Sequence, residues 1–299
     1  MFQILSTGSA LPKCRKSNDD LSAFLDTSDE WISQRTGIRE RAVCTDETLT
    51  QLLVTACSQA LERAGVRPEE LDLILCATIR GDYITPSQAC VLQHELGAHC
   101  PAMDISAACT GFVYALDVAA GYFARKRVKK VLIAAGDTMT RLLNWQDRST
   151  CVLFGDGAGA VLLRKKEGLF VSEMGSDPTG GQYLFGRGVA PNEQFRDTPF
   201  DRNSDGFPES NGYALYQDGR QVYKFATRIL PYAVEKACEK AGITPDELQW
   251  IFPHQANQRI IETAAKNLKQ PLEKFFINIG DHGNMSSACI PICLAEAME

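Results

Sequence analysis

Ala64-Gly-Val-Arg-Pro-Glu-Glu-Leu-Asp-Leu-Ile74 returns without a gap as Ala241-Gly-Ile-Thr-Pro-Asp-Glu-Leu-Gln-Trp-Ile251, an offset of 177 residues. The match continues backwards, with Leu53, Ala56 and Ala60 falling on Leu230, Ala233 and Ala237. The first copy reads as a helix over about 49–64, with Leu49, Leu52, Leu53, Ala56, Ala60 and Ala64 at helical spacing. Gly65 stops that helix, and a buried strand follows over 71–78. Gly8-Ser9 is echoed by Gly175-Ser176, the longer loop of the second half absorbing the change in offset. The chain therefore reads as a tandem duplication of one strand-and-helix unit, residues 1–165 and 166–299. Each half buries its sheet and helices against the other, in a layered α/β architecture. The same offset carries the strand 128–135 to about 305–312, past Glu299.

Composition narrows the function. The chain has 299 residues, 44% of them apolar and 23% charged, the balance of a soluble globular protein. A net charge of −6 gives no footprint for nucleic acid. No apolar run reaches the roughly 20 residues of a membrane span, and the N-terminus lacks a secretory pattern. The eleven cysteines are odd in number, scattered and without a Cys-x-x-Cys pair, so neither metal nor disulfide frameworks are expected. The thiols read as reduced and cytoplasmic. Phe154-Gly-Asp-Gly-Ala-Gly-Ala160 lacks the Lys-Ser/Thr ending of a phosphate loop and runs on into Val161-Leu162-Leu163. It reads as strand glycines that let backbones pack closely. The longest irregular stretch, 175–219, is either a functional cover or a surface excursion.

Three groups at element ends carry the candidate chemistry. Asp104-Ile-Ser-Ala-Ala-Cys-Thr-Gly111 lies between a short apolar run, 101–105, and a helix with Phe112, Ala115, Leu116, Ala119 and Phe123 on one face. Cys109 thus sits where a strand turns into a helix, a place that favours thiolate, the form that attacks carbonyls. The offset carries Cys109 to Ser286, two residues after Asn284. His254, in Pro253-His-Gln-Ala-Asn257, follows the second copy's strand, where ligand sites of α/β sheets gather. Each alone would usually be structural; together they point to a Cys-His-Asn site.

At these residues the sequence resembles the beta-ketoacyl-acyl carrier protein synthase III family of the thiolase-like superfamily. The segments that carry the likeness are Thr27-Ser-Asp-Glu-Trp-Ile32, Arg35-Thr-Gly-Ile-Arg-Glu-Arg41, Ala107-Ala-Cys-Thr-Gly-Phe112, 154–160, 253–257 and His282-Gly-Asn284. The resemblance implies a thiolase-like five-layered α/β fold with two duplicated halves, and a homodimer. It implies that Cys109 takes an acyl group from acyl-CoA. His254 and Asn284 would donate to the thioester oxygen of malonyl-acyl carrier protein as carbon dioxide leaves. Trp31, Arg35, Arg148 and Asn257 would bind CoA, and Lys224 and Arg259 would meet the carrier protein. No cofactor is implied, the CoA thioester being substrate.

Two departures from the family stand out. Thr85 precedes Pro86-Ser87 where acetyl-specific members carry phenylalanine, which implies a primer longer than acetyl. The family also continues past the helix ending near Met298 through two strands and a glycine-rich loop that supplies one oxyanion-hole N–H. Met285, where the family often has threonine, is a smaller difference. The competing readings are an acyltransferase with another acceptor and a non-catalytic partner. Malonyl-carrier-protein dependence and carbon dioxide release separate them.

Overall fold

Every residue of the strand Leu73–Ala77 is buried, and its two faces enter two different apolar clusters. A strand apolar on both faces needs a covering layer on each side, and the fold is built around that need. The computed structural model describes residues 1–189, 194, 198, 201, 205–210 and 212–299. The strands are β1 (Phe2–Ala10), β2 (Cys14–Ser17), β3 (Glu40–Val43), β4 (Leu73–Ala77), β5 (Ala102–Ile105), β6 (Lys130–Thr138), β7 (Asp156–Lys165), β8 (Leu184–Phe185) and β9 (Tyr216–Gln217). The helices are α1 (Asn18–Ser22), α2 (Asp29–Thr36), α3 (Leu49–Ala64), α4 (Gln88–Leu96), α5 (Gly111–Ala124), α6 (Gly219–Ala241), α7 (Gln258–Asn267), α8 (Ile279–His282) and α9 (Cys289–Ala297).

One mixed sheet runs in the order β1-β7-β6-β4-β5. β5, β4 and β6 are parallel, and β7 is antiparallel to both β6 and β1. α3 and α4 cover one face through Leu53, Ala56, Ala60 and Leu92, which meet Ile74, Cys76, Leu132 and Leu162. α5 covers the other through Phe112, Ala115, Ala119 and Phe123, against Leu73, Leu75, Val131 and Ile133. α9 packs beside it on β1 and β7. The apolar spacings read from the sequence are those that the core uses. α3 is closed at its start by Thr48 and Gln51 in a reciprocal capping box, and at its end by Gly65 at φ +61°.

The glycines of 154–160 are strand and turn glycines, as expected. A Cβ on Gly155 would fall 2.3 Å from the His282 carbonyl oxygen, and one on Gly159 would fall 3.0 Å from Ile292 N. Between them Asp156 is fully buried, accepting from the N–H groups of Cys44 and Thr140 and from the Thr140 hydroxyl. No phosphate loop is present in this segment.

The second half differs from its expectation. Leu248–Ile251 does not form a strand; Ile251 makes a single parallel bridge to Phe275. Gly175-Ser176 lies in no strand either. A strand exists only with paired neighbours, and among the described residues Ile251 finds one bridge partner while Gly175-Ser176 finds no strand neighbour. Local structure nonetheless repeats: Gly242 closes α6 as Gly65 closes α3, and turns at Pro68–Glu70 and Pro245–Glu247 follow. Part of 175–219 lies outside the described residues. Its described parts include a turn at Pro178–Tyr183 and the β8–β9 ribbon.

Gly159→Ala tests the close approach of α9 to β7. Its methyl must push on backbone rather than on a flexible side chain, at a cost of about 1–3 kcal/mol. Urea unfolding should show a lowered midpoint; an unchanged midpoint would mean that α9 does not pack as described.

Candidate active site

The C-terminal ends of β4, β5 and β6 lie side by side, and the chain's polar chemistry collects there. After β5, a turn at Ala108–Thr110 carries Cys109 into α5. Ala108 is held at φ +46°, a conformation that costs an L residue energy and persists only where surroundings enforce it. Gly111 starts α5 against Ala77, where a Cβ would stand 3.0 Å from the alanine methyl. The second half repeats this device before α9: Ser286 lies at φ +52° in a turn at Ser286–Ala288. The strained residues and the helix starts both match at an offset of 178, so the structural counterpart of Cys109 is Ser287. The expected match to Ser286 is one residue short.

The two turns are in contact, and a buried carboxylate ties the second of them to the end of β4. Asp137, near the end of β6, accepts from Thr78 Oγ1 at 2.9 Å and Ile79 N at 2.7 Å in the first half. From the second half it accepts Ser287 N at 3.2 Å and Ser287 Oγ at 2.8 Å. The Ser287 hydroxyl also lies 2.9 Å from the Ala77 carbonyl oxygen. Burial raises the Asp137 pKa, and these donors oppose the rise.

Cys109 is partly buried as a residue, but protein surrounds its sulfur. Burial pushes the thiol up to about 11; Ser286 pulls it down and the nearby Asp137 pushes it up. The expected thiolate is therefore corrected to a neutral thiol at rest, because the loss of water around sulfur outweighs the favourable start of α5. Ser286 Oγ is buried without a hydrogen bond of ordinary geometry, yet it lies close enough to favour the anionic forms of both Cys109 and Asp137.

Asn284 is buried and held at both backbone atoms: its N–H donates to Leu153 O at 2.8 Å, and its carbonyl accepts from Gly155 N at 3.1 Å. Its Oδ1 accepts from Ser286 N at 2.9 Å, which fixes the amide orientation and leaves the NH2 as a donor. His254 is partly buried, and its Nδ1 has no partner among the described residues. The neighbouring Gln255 is fully buried and pins this segment. Its Nε2 donates to Pro253 O and Phe276 O, each at 3.0 Å, and its Oε1 accepts from Asn278 N. Glu296 on α9 accepts from Asn278 Nδ2 at 2.8 Å and meets His282 Nε2 at 2.6 Å. Burial would raise the Glu296 pKa, but those two hydrogen bonds bring it below the ordinary range.

The nucleotide-binding candidates converge on one surface. Two guanidinium groups lie over the ring of Trp31 on α2, Arg35 at 4.6 Å and Arg148 at 5.2 Å from its centroid. Asn257, which caps α7, donates from Nδ2 to Arg35 O at 3.0 Å. Gly37 ends α2 at φ +80° and lies so close to Gln258 that a Cβ would fall 2.2 Å from its Oε1. Arg148 pairs with Asp26. Beneath them Arg41 is fully buried, donating to Lys16 O, Asn18 Oδ1 and Val152 O. Burial lowers its pKa to about 10.

Thr85 stands on an exposed loop after β4, beside Tyr83 at 60% exposure and Ile84 at 79%. Lys224 and Arg259 are exposed on α6 and α7, helices joined by the Tyr223–Thr263 hydroxyl contact at 2.9 Å. Among the described residues, no group of three or more His, Cys, Asp or Glu side chains is placed to hold a metal ion. No described helix is long and apolar enough to cross a membrane.

Sequence reasoning missed Asp137 and Gln255 and gave Ser286 and Arg41 no role of their own. Gln255, Ser286 and Arg41 lie in or beside the quoted motifs, whereas Asp137 lies near the end of β6, outside all of them.

A cysteine on a strained turn at strand ends, packed against the strained Ser286–Ala288 turn of the other half, suits a thiolase-like acyl-transfer enzyme. The model of the 3-oxoacyl-[acyl-carrier-protein (ACP)] synthase III family matches residues 103–178, and the model of its C-terminal region matches residues 238–299. The beta-ketoacyl-[acyl-carrier-protein] synthase III of Clostridium acetobutylicum is 40% identical, over 98% of this chain and 89% of its own. That of Xanthomonas euvesicatoria is 44% identical, over 99% and 89%. The crystal structure of 3-oxoacyl-[acyl-carrier-protein] synthase III from Aquifex aeolicus superposes with a TM-score of 0.89 at 39% identity, covering 100% of this chain and 91% of that one. The chain belongs to the 3-oxoacyl-[acyl-carrier-protein] synthase III family, and it is an acyltransferase of the condensing type.

A neutral resting thiol predicts a particular alkylation profile. Modification of Cys109 by iodoacetamide, followed by peptide mass, should rise about tenfold per pH unit between pH 7 and 9 without levelling. A plateau below pH 8 would contradict the burial argument.

Proposed function

We propose that this chain joins an acyl-CoA primer to malonyl-acyl carrier protein by decarboxylative Claisen condensation, through an acyl-Cys109 intermediate. The observation that carries the reading is the contact between two strained turns, 108–110 and 286–288, which supports a site shared between the two halves. Residues 1–165 supply the thiol and residues 166–299 the donors, and this division of labour supports reading the chain as two halves of one site.

In the first step the Cys109 sulfur attacks the primer's thioester carbonyl. The C–S bond to CoA breaks, and the thiol proton leaves with CoA as its thiol. A pKa of about 11 means that this proton must be removed during the attack, and His254, with an unpaired ring nitrogen, is the group proposed to assist. In the second step malonyl-carrier protein loses carbon dioxide, and the electrons of the broken C–C bond form an enolate. The Asn284 NH2 and the His254 imidazole donate to its oxygen. Their preorganisation in a water-poor site makes each donor worth roughly a hundred- to a thousandfold in rate. The enolate carbon then attacks acyl-Cys109, forming the new C–C bond and expelling Cys109 to release 3-oxoacyl-carrier protein.

CoA would lay its adenine against Trp31, with Arg35 and Arg148 at the phosphates and Asn257 on the pantetheine arm. The Trp31 stack and the Asn257–Arg35 hydrogen bond support this placement. An acidic carrier protein would dock on the exposed Lys224 and Arg259. The CoA thioester is a substrate, and no further cofactor is invoked. The exposed Tyr83 and Ile84 suit a homodimer contact, with Thr85 at its edge, where a small side chain leaves room for a primer longer than acetyl. Eleven free cysteines suit a cytoplasmic setting.

Intact-protein mass after incubation with acyl-CoAs of graded length should show one adduct of acyl mass, absent in Cys109→Ala and heaviest for primers longer than acetyl. An adduct that persists in Cys109→Ala would overturn the assignment of the nucleophile. A preference for acetyl would overturn the role given to Thr85.

A further inference from the structure

The side chain of Ser286 is 1% exposed, and its Oγ has no hydrogen-bond partner of ordinary geometry among the described residues. A buried hydroxyl left in this way is a cost to folding and calls for a reason. The turn itself does not need it. Ala108 takes the matching place in the first half, at φ +46° against +52° for Ser286, and forms the same kind of strained turn with a methyl. The hydroxyl therefore stands on the second half's turn alone, and that turn is in contact with the one that carries Cys109.

Two acceptors compete for its hydrogen. Ser286 Oγ lies against both the Asp137 carboxylate and the Cys109 sulfur, and it favours negative charge on each. Asp137 is already supplied: its Oδ1 accepts from Thr78 Oγ1 and Ile79 N, and its Oδ2 from Ser287 N and Ser287 Oγ. An ionised carboxylate offers about four acceptor sites, and those donors fill them. The sulfur has no such set. Its own N–H and the Ser286 hydroxyl are the groups that favour its anion. A buried thiol tolerates that poverty, whereas a buried thiolate needs the donor. The Ser286 N–H meanwhile donates to Asn284 Oδ1 at 2.9 Å, so hydroxyl and N–H serve different groups.

We propose that Ser286 is a further catalytic residue, its hydroxyl donating to the Cys109 sulfur whenever that atom carries negative charge. This rests on the reading of Cys109 as the acyl acceptor. Charge gathers on sulfur twice. In acylation the thiol proton leaves with CoA as its thiol, and sulfur forms the new bond to the acyl carbon. In condensation that C–S bond breaks as the C–C bond forms, its electrons return to sulfur, and the thiolate then takes one proton from water. Ser286 gives up no proton in either step; its O–H···S hydrogen bond tightens and relaxes. A hydrogen bond to a charged partner contributes roughly ten- to a hundredfold.

The test is alkylation of substrate-free protein by iodoacetamide, read as mass added at Cys109, in Ser286→Ala and Ser286→Gly. Both variants keep the N–H that orients Asn284 and lose the hydroxyl, and glycine also relieves the strain of the positive φ. Losing the donor lowers the thiolate fraction, and the greater nucleophilicity of a more basic sulfur returns about half of that loss on a logarithmic scale. Alkylation should therefore fall about three- to tenfold in both variants alike. A loosened turn would instead expose the sulfur and speed the reaction. Unchanged or faster alkylation overturns the proposal, and so does a fall in Ser286→Ala that Ser286→Gly restores, which would assign the effect to backbone strain. If the alanine variant does not fold, the glycine variant decides by the same ratio. Acylation by acyl-CoA should slow about ten- to a hundredfold in both variants; unaltered acylation overturns the catalytic role. If the parent protein takes no acyl group, the enzymatic reading fails, and the alkylation ratio still upholds or rejects Ser286 as the donor to sulfur.

Discussion

The carboxylate of Asp137 is the constraint on which the rest of the site depends. It is buried near the end of a central strand and reaches the Thr78-Ile79 segment that follows β4 and the Ser287 turn of the second half. A buried acid without donors would cost several kcal/mol, so its four hydrogen bonds are a condition of burial and not an ornament. Because two of those donors come from 150 residues away, satisfying Asp137 means docking the second half's turn on the first half's strands. That docking places Ser286 against Cys109 and Asn284 just behind it. The fold's need to satisfy one polar group and the site's need to meet across two halves are a single event.

The same economy governs the approach to sulfur. Burial of the sulfur itself, on a turn whose Ala108 and Thr110 stay exposed, raises the Cys109 pKa to about 11, so the resting thiol is protonated. Reactivity must then come from groups that act when substrate arrives. Asn284 is prepared for this by Ser286 N–H, which occupies its carbonyl oxygen and leaves the amide hydrogens available. The His254 segment is held by Gln255, whose side chain bonds Pro253 O and ties the segment to the backbone of Phe276 and Asn278.

Much of this was legible in the sequence, for identifiable reasons. Helical spacing from Leu49 to Ala64 and the buried run of β4 are local patterns, and the structure uses them as read. The glycines at 155 and 159 were legible as close-packing positions because they lead into a strand. Cys109, His254 and Asn284 stood out as reactive types at element ends. What stayed hidden depends on partners distant in the chain. Arg41 looks like one more charge in a polar segment, yet it is fully buried because Lys16, Asn18 and Val152 supply acceptors. The duplicated second half was legible as a repeat of turns and helices but not as a sheet, since a strand is defined by its neighbours. The thiol's protonation state was misjudged because the sequence shows the helix that follows Cys109 and not the packing around its sulfur.

The central claim is that donors from one half stabilise an enolate formed beside an acyl group held by the other. The most direct measurement is release of labelled carbon dioxide from malonyl-carrier protein, labelled in its free carboxyl, added to protein already acylated at Cys109. The account predicts one carbon dioxide for each 3-oxoacyl-carrier protein formed, with both falling at least a hundredfold in Asn284→Ala while acylation of Cys109 persists. Acyl transfer from Cys109 without release of carbon dioxide would contradict it.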